Sequence, residues 1–156
     1  VALGAIGKGF EIDVVREGHS GGVDTEDVQA PLAPRDRPEI PRQPMVVINP
    51  EIVEASEATA EFDEGCLSVP GIVVPVKRPI RVTLRYLDRT FTPRTIEGFS
   101  TVASVLQHEF DHLEGVLHID RLSALARARL RPQLRKIEQG KVETPYPMQF
   151  PKDAGR

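Results

Sequence analysis

A single cysteine, Cys66, excludes an internal disulfide, and nothing in the chain argues for an oxidising compartment. The sequence contains no apolar run of about 18 residues and no signal-like apolar segment, so neither a membrane span nor secretion is expected. A basic balance is also missing. The 20 Lys and Arg stand against 23 Asp and Glu, a formal net charge of −3, which removes bulk nucleic-acid binding from the leading functions. Histidine is scarce too: only His19, His108, His112 and His118 occur in 156 residues. Two of these four stand at a spacing that carries chemistry.

In Gln107-His108-Glu109-Phe110-Asp111-His112, two imidazoles lie four residues apart, with a carboxylate directly after the first. On a helix this spacing puts both rings on one face, with Cβ atoms roughly 5–6 Å apart, close enough to share one metal ion. The surrounding segment predicts a core helix from Ser100 to Leu113, because Val102, Val105, Leu106, Phe110 and Leu113 recur at helical spacing. Ser100 or Thr101 would start it and Gly115 would stop it. A solvated polar face is the alternative. It fits less well, since ionisable groups on a buried helix are costly unless they are paired or bind metal. A catalytic zinc-type site takes three protein ligands and keeps one position open. The third ligand must therefore come from elsewhere, and Cys66, in Glu64-Gly65-Cys66-Leu67-Ser68, is the best candidate. Read alone, it could equally be a small buried hydrophobe.

Taken together, Glu64–Ser68 (EGCLS) and Gln107–His112 (QHEFDH) resemble the second and third signature motifs of the peptide deformylases. The likeness extends to residues 46–50, similar to the strand ending in Asn-Pro ahead of the second motif, and to residues 113–120 after the third. It spans roughly residues 1–122 with one insertion. The resemblance implies a hydrolase that removes the formyl group from the formyl-methionine of nascent polypeptides and releases formate. It implies one divalent ion per chain held by Cys66, His108 and His112, with Fe²⁺ expected and Zn²⁺, Ni²⁺ or Co²⁺ able to take its place. Glu109 sits one helical step, about 100°, from the ligand face. It would move the proton from a water at the open position to the leaving amine. The backbone N–H of Leu67 would support the developing oxyanion, and Asp111 would pair with Arg78 to orient the site. Substrate contacts are expected from Val1, Ala2, Leu3, Phe62, Glu64, Gly65, Ser104 and Val105, with the peptide added to a strand edge.

The likeness weakens on the substrate side. The family's first motif, GxGLAAPQ, is matched at residues 1–9 in hydrophobic outline only, and Gly7 stands where a glutamine donates to the oxyanion. Val73 stands where many relatives carry an arginine. A deformylase-like protein that binds metal but has weak or altered amide hydrolase activity is therefore the rival reading. A structural metal domain is a third, which would need a fourth protein ligand.

Length predicts one domain over residues 1–156. Because relatives carry a further segment before their first motif, an N-terminally shortened chain is expected. Phe10, Ile12 and Val14 suggest a half-buried strand, and the proline-rich residues 19–44 a surface insertion. Strands are expected at 45–49, 71–76, 80–87 and 91–96, so the fold class is α+β, with antiparallel sheets packed around a central metal-binding helix and a C-terminal helix after it. That last helix, over 121–137, is rich in arginine and should break or kink at Pro132. Its basic face is either simply solvated or a ribosome contact. Residues 143–156 read as an irregular tail. A bacterial cytoplasm, or a mitochondrion or plastid, is the implied compartment. On this reading Gly7→Gln should raise formate release from a formyl-Met peptide, towards the roughly hundredfold to thousandfold that one oxyanion donor is worth. Unchanged turnover would mean that the first-motif alignment fails or that another donor has replaced the glutamine.

Overall fold

In the computed structural model, which describes residues 9–12 and 45–148, the strand-forming stretches build two separate antiparallel sheets. Strands β1 (Gly9–Ile12), β2 (Met45–Ala55), β5 (Arg81–Leu87) and β6 (Pro93–Phe99) form one sheet in the order β1-β2-β5-β6. Strands β3 (Thr59–Cys66) and β4 (Val69–Pro79) form a two-stranded sheet. Helix α1 (Thr101–Leu113), a short 3₁₀ turn (His118–Arg121) and helix α2 (Ala124–Glu138) complete the α+β fold. Val1, Ala2, Leu3, Gly7, Val14 and the insertion at 19–44 lie outside the described residues. The described part of the tail, 143–148, contains neither helix nor strand.

Helix α1 owes its position to an amphipathic face. Ala103 and Leu106 pack with Val47, Val82 and Leu84 of the four-stranded sheet, and Val102, Phe110 and Leu113 close around them. Val105, expected in that core, points instead toward partial exposure, because it lies on the flank of the helix that carries the histidines. The helix begins at Ser100, whose backbone sits at φ 54° and whose N–H donates to the Ile80 carbonyl at 2.8 Å. No side chain caps this end. At the far end Gly115 takes φ 74°, and the N–H groups of Gly115 and Val116 donate to the carbonyls of His112 and Asp111.

The second sheet packs elsewhere. Val69 and Ile72 of β4 join Ile119 of the 3₁₀ turn, with Leu130, Leu134 and Ile137 of α2 against them. Pro70, Pro75 and Pro79 are tolerated in β4 because among the described residues the strand pairs on one side only. Helix α2 runs through Pro132 without ending. Contacts made by Leu130 and Leu134 on either side of the proline offset the hydrogen bond it cannot donate.

At Gly98 strand β6 runs close against α1. A Cβ there would stand 2.8 Å from Leu106 Cδ1 and 3.0 Å from the Ala103 backbone nitrogen. Gly98→Ala should therefore destabilise the chain by about 1–3 kcal/mol through overpacking, read as a lower midpoint in urea unfolding; an unmoved midpoint would mean the helix shifts without cost.

Candidate metal centre

One side of α1 faces the four-stranded sheet and the other faces β3 and β4. On the second side the sequence places Ser104, Gln107, His108, Asp111 and His112, at the three- and four-residue steps that stack side chains on one face. The polar face therefore lies against the small sheet. A register shift between Gly65 and Cys66 at the end of β3 interrupts the alternation there, as β-bulges do where a side chain must be re-aimed. Cys66 thus meets the helix.

The result is a group of three donors. One ligand atom from each of Cys66, His108 and His112 lies within 4.8 Å of the others. Cys66 Sγ is 3.2 Å from His112 Nε2, and the two imidazoles stand edge to face with centroids 4.7 Å apart. Burial alone would raise the Cys66 thiol. Hydrogen bonding to His108 and His112, with His118 close behind, outweighs burial and brings its pKa down to about 3. Burial likewise works against a charged His108, but Cys66 and Glu64 outweigh it and raise its pKa to about 9. The His112 pKa is raised chiefly by its bond to Cys66. A thiolate beside two imidazoles is a donor set suited to a divalent transition metal.

Around these donors lies a buried ionic layer. His108 Nδ1 donates to Glu64 Oε2 at 3.0 Å, which leaves Nε2 with the free lone pair for a metal. Arg78 Nε and Nη2 donate to the two oxygens of Glu64 at 2.8 and 2.9 Å, and Nη1 donates to Asp111 Oδ2 at 2.7 Å. Ser104 Oγ also donates to Glu64, at 2.7 Å. Burial opposes the charge on Glu64, yet the bonds from Arg78, His108 and Ser104 hold its pKa near 2. Glu64 and Ser104, expected from sequence at a substrate pocket, are thus buried and joined to each other, because the buried guanidinium draws the carboxylate inward.

Other positions face outward. Leu67, Val105 and Val73 are exposed, Val73 to 66%, while Phe62 is half-buried and Gly65 exposed on β3. Glu109 is only 3% exposed and stands between the apolar and ligand faces of α1. Burial pushes its carboxyl up from the ordinary range, against the pull of His108 and His112.

Four residues escape sequence reasoning. Arg121 donates to Asp111 through Nε at 3.0 Å and through Nη2. Gln107 donates to the carbonyls of Pro79 and Ala103 at 3.0 and 2.9 Å, tying β4 to α1. Tyr146 Oη donates to the Leu67 carbonyl at 3.0 Å, and His118 is buried beside the centre. Gln107 opens the QHEFDH motif, which was a usable signal. Arg121 offered only its place after Asp120.

Arg78→Ala would leave Glu64 and Asp111 buried without their shared cation. Breaking a buried pair costs about 3–5 kcal/mol, so a large loss in urea stability and weaker metal retention against a chelator are expected; if neither moves, the layer does not hold the site.

Comparison with known proteins gives a consistent result. A family model described as polypeptide deformylase matches residues 23–128. A peptide deformylase of Salinibacter ruber is 51% identical over 109 residues, spanning 70% of this chain and 56% of that protein. One of Chlorobaculum parvum is 47% identical over 106 residues, spanning 68% and 56%. Among solved structures, a peptide deformylase from Legionella pneumophila is similar with a TM-score of 0.58 at 42% identity, over 67% of this chain and 61% of that one. The enzyme from Ehrlichia chaffeensis gives 0.66 at 30% identity, over 86% and 69%. The chain spans about half the length of the curated relatives it matches.

Proposed function

The chain belongs to the polypeptide deformylase family, and on that premise we propose that it hydrolyses the formyl group from the formyl-methionine of nascent polypeptides, releasing formate. The observation that carries this reading is the convergence of Cys66 of β3 with His108 and His112 of α1 within 4.8 Å, beside Glu109 buried on the same helix. Cys66, His108 and His112 would hold one divalent ion, with Fe²⁺ the ion expected. Such an ion supplies Lewis acidity and brings the pKa of a water beside it towards about 7.

The chain's own residues do the rest. Glu109 is one helical step from His108, and its buried carboxyl holds a proton more readily than an exposed one. It accepts a proton from the attacking water and returns it to the leaving amine. Glu64 keeps His108 in one tautomer and orientation. The Leu67 N–H stands at the β3–β4 turn next to Cys66, where it can donate to an oxyanion while Tyr146 holds the Leu67 carbonyl.

Substrate holding follows from the small sheet. Among the described residues β3 pairs only with β4, which leaves an edge near Phe62 to Cys66 for an extended peptide, with Val105 beside it. Within the proposal Val1, Ala2 and Leu3 keep their expected substrate roles, and Gly7 its place at the oxyanion position where the family carries a glutamine. A ribosome contact is supported by Arg127, Arg131 and Arg135, which follow one another at four-residue steps along one groove of α2. Among the described residues no helix is long and apolar enough to cross a membrane. A bacterial cytoplasm or a bacterial-derived organelle is the proposed compartment.

Formate release from a formyl-Met peptide, with Fe²⁺ loaded under anaerobic reducing conditions, tests the reading. Glu109→Ala should lower the rate about 10²–10⁴-fold while metal content stays at that of the parent chain, and Cys66→Ala should lose the metal itself. A parent chain that releases formate only at the buffer background would sink the proposal.

A further inference from the structure

His118 lies outside the spacing of the three candidate ligands. Even so, it is the most buried polar side chain among the described residues, at 1% exposure. Neither Nδ1 nor Nε2 finds a hydrogen-bond partner among those residues. Burying an imidazole in this state is costly, and buried polar groups in folded proteins are almost always paired. The partner is therefore to be sought in what lies next to the ring once the site is in its working form.

The backbone fixes where the ring goes. His118 opens the 3₁₀ turn that follows α1. The Leu117 N–H donates to Asp120 Oδ2 at 3.0 Å, and the Asp120 N–H returns to the Leu117 carbonyl at 2.8 Å. Ile119, the next residue, anchors the turn against Val69 and Ile72, and Cys66 packs on the same cluster. The His118 ring is 5.7 Å from that of His108, tilted by 37°. It contributes to holding the Cys66 thiol in its charged form without reaching hydrogen-bond geometry. It also stands outside the group of three donors that lie within 4.8 Å of one another.

We propose that His118 is a positioning residue for the sulfur ligand: with a divalent ion held by Cys66, His108 and His112, one ring N–H of His118 donates to Cys66 Sγ from outside the coordination shell. The proposal rests on the metal-centre reading above and extends it to a residue the motifs omit. A donor aimed at a ligating thiolate draws electron density from the sulfur, so the sulfur gives less to the ion and the ion stays a stronger Lewis acid. It also satisfies one of the two orphaned nitrogens. The alternative, a fourth ligand, would close the site and remove the open position that catalysis needs.

The unaltered full chain can be tested directly. It is loaded with Cd²⁺ enriched in an NMR-active isotope, with histidine rings labelled with heavy nitrogen. Direct metal–nitrogen couplings are expected for His108 and His112 only. The ring N–H proton of His118 should exchange slowly with solvent and show a smaller coupling to Cd²⁺ relayed through Sγ. A direct coupling to a His118 nitrogen, or a His118 ring with no protected proton while the other two are coupled, overturns the proposal. Loss of the His108 and His112 couplings removes the metal-centre reading itself, and this proposal with it. In the Co²⁺-loaded chain, His118→Phe should move the thiolate-to-metal charge-transfer band to longer wavelength, and His118→Gln, which keeps a donor, should return it part of the way. One band position shared by all three proteins would overturn the assignment.

Discussion

The guanidinium of Arg78 is the constraint on which this centre depends. It is almost wholly buried, and it spends its donors on two acidic groups from different elements, Glu64 of β3 and Asp111 of α1. Desolvating three charges is expensive, and their attraction offsets that cost only when the geometry is good and the remaining lone pairs are met. Here they are met by Ser104, His108 and Arg121. The layer therefore behaves as one unit. Its geometric consequence is larger than its energetic one, because the helix carrying two of the candidate ligands and the strand carrying the third are locked to the same cation.

This layer also explains why the described residues form two apolar clusters rather than one. Ala103 and Leu106 bury one face of α1 against Val47, Val82 and Leu84, whereas Val69, Ile72 and Ile119 form a second cluster under α2. Between them run Glu64, Arg78, Ser104, Gln107, His108 and Asp111, all buried. A continuous core would be worth more in transfer free energy, at about 25 cal/mol per Å² of apolar surface. The chain forgoes part of that gain to keep ionised groups dry, and so preorganised, beside the candidate ligands.

Legibility from sequence followed the same division. The helix, its apolar face and the pairing of His108 with His112 were readable, because period and spacing are local properties of the chain. Strand β3 was not, since its inward positions Ala60, Phe62, Glu64 and Cys66 mix apolar, acidic and thiol side chains and show no clean alternation. The Glu64 partners were not readable for a related reason: only the tertiary arrival of Arg78 turns its carboxylate inward. Pro132 does not break the helix, because packing on both sides of it carries the helix through.

Charge explains why this arrangement is poised to take up a metal and not simply to bury polar groups. The three donors hold one another, the Cys66 thiol well below and the His108 imidazole well above the usual values. An ion entering between them would replace protons as the positive partner of the sulfur, and metal uptake and proton release are then two sides of one exchange. Glu109 is set apart from this exchange. Its carboxyl is pushed up by burial, where Glu64 is pulled down by Arg78. Two buried glutamates, both interacting with His108, are thereby driven in opposite directions: Glu64 held as an anion that orients His108, Glu109 with its carboxyl raised by burial. The fixed anion thus stands on β3 and the raised carboxyl on α1, two elements held together by the same buried layer.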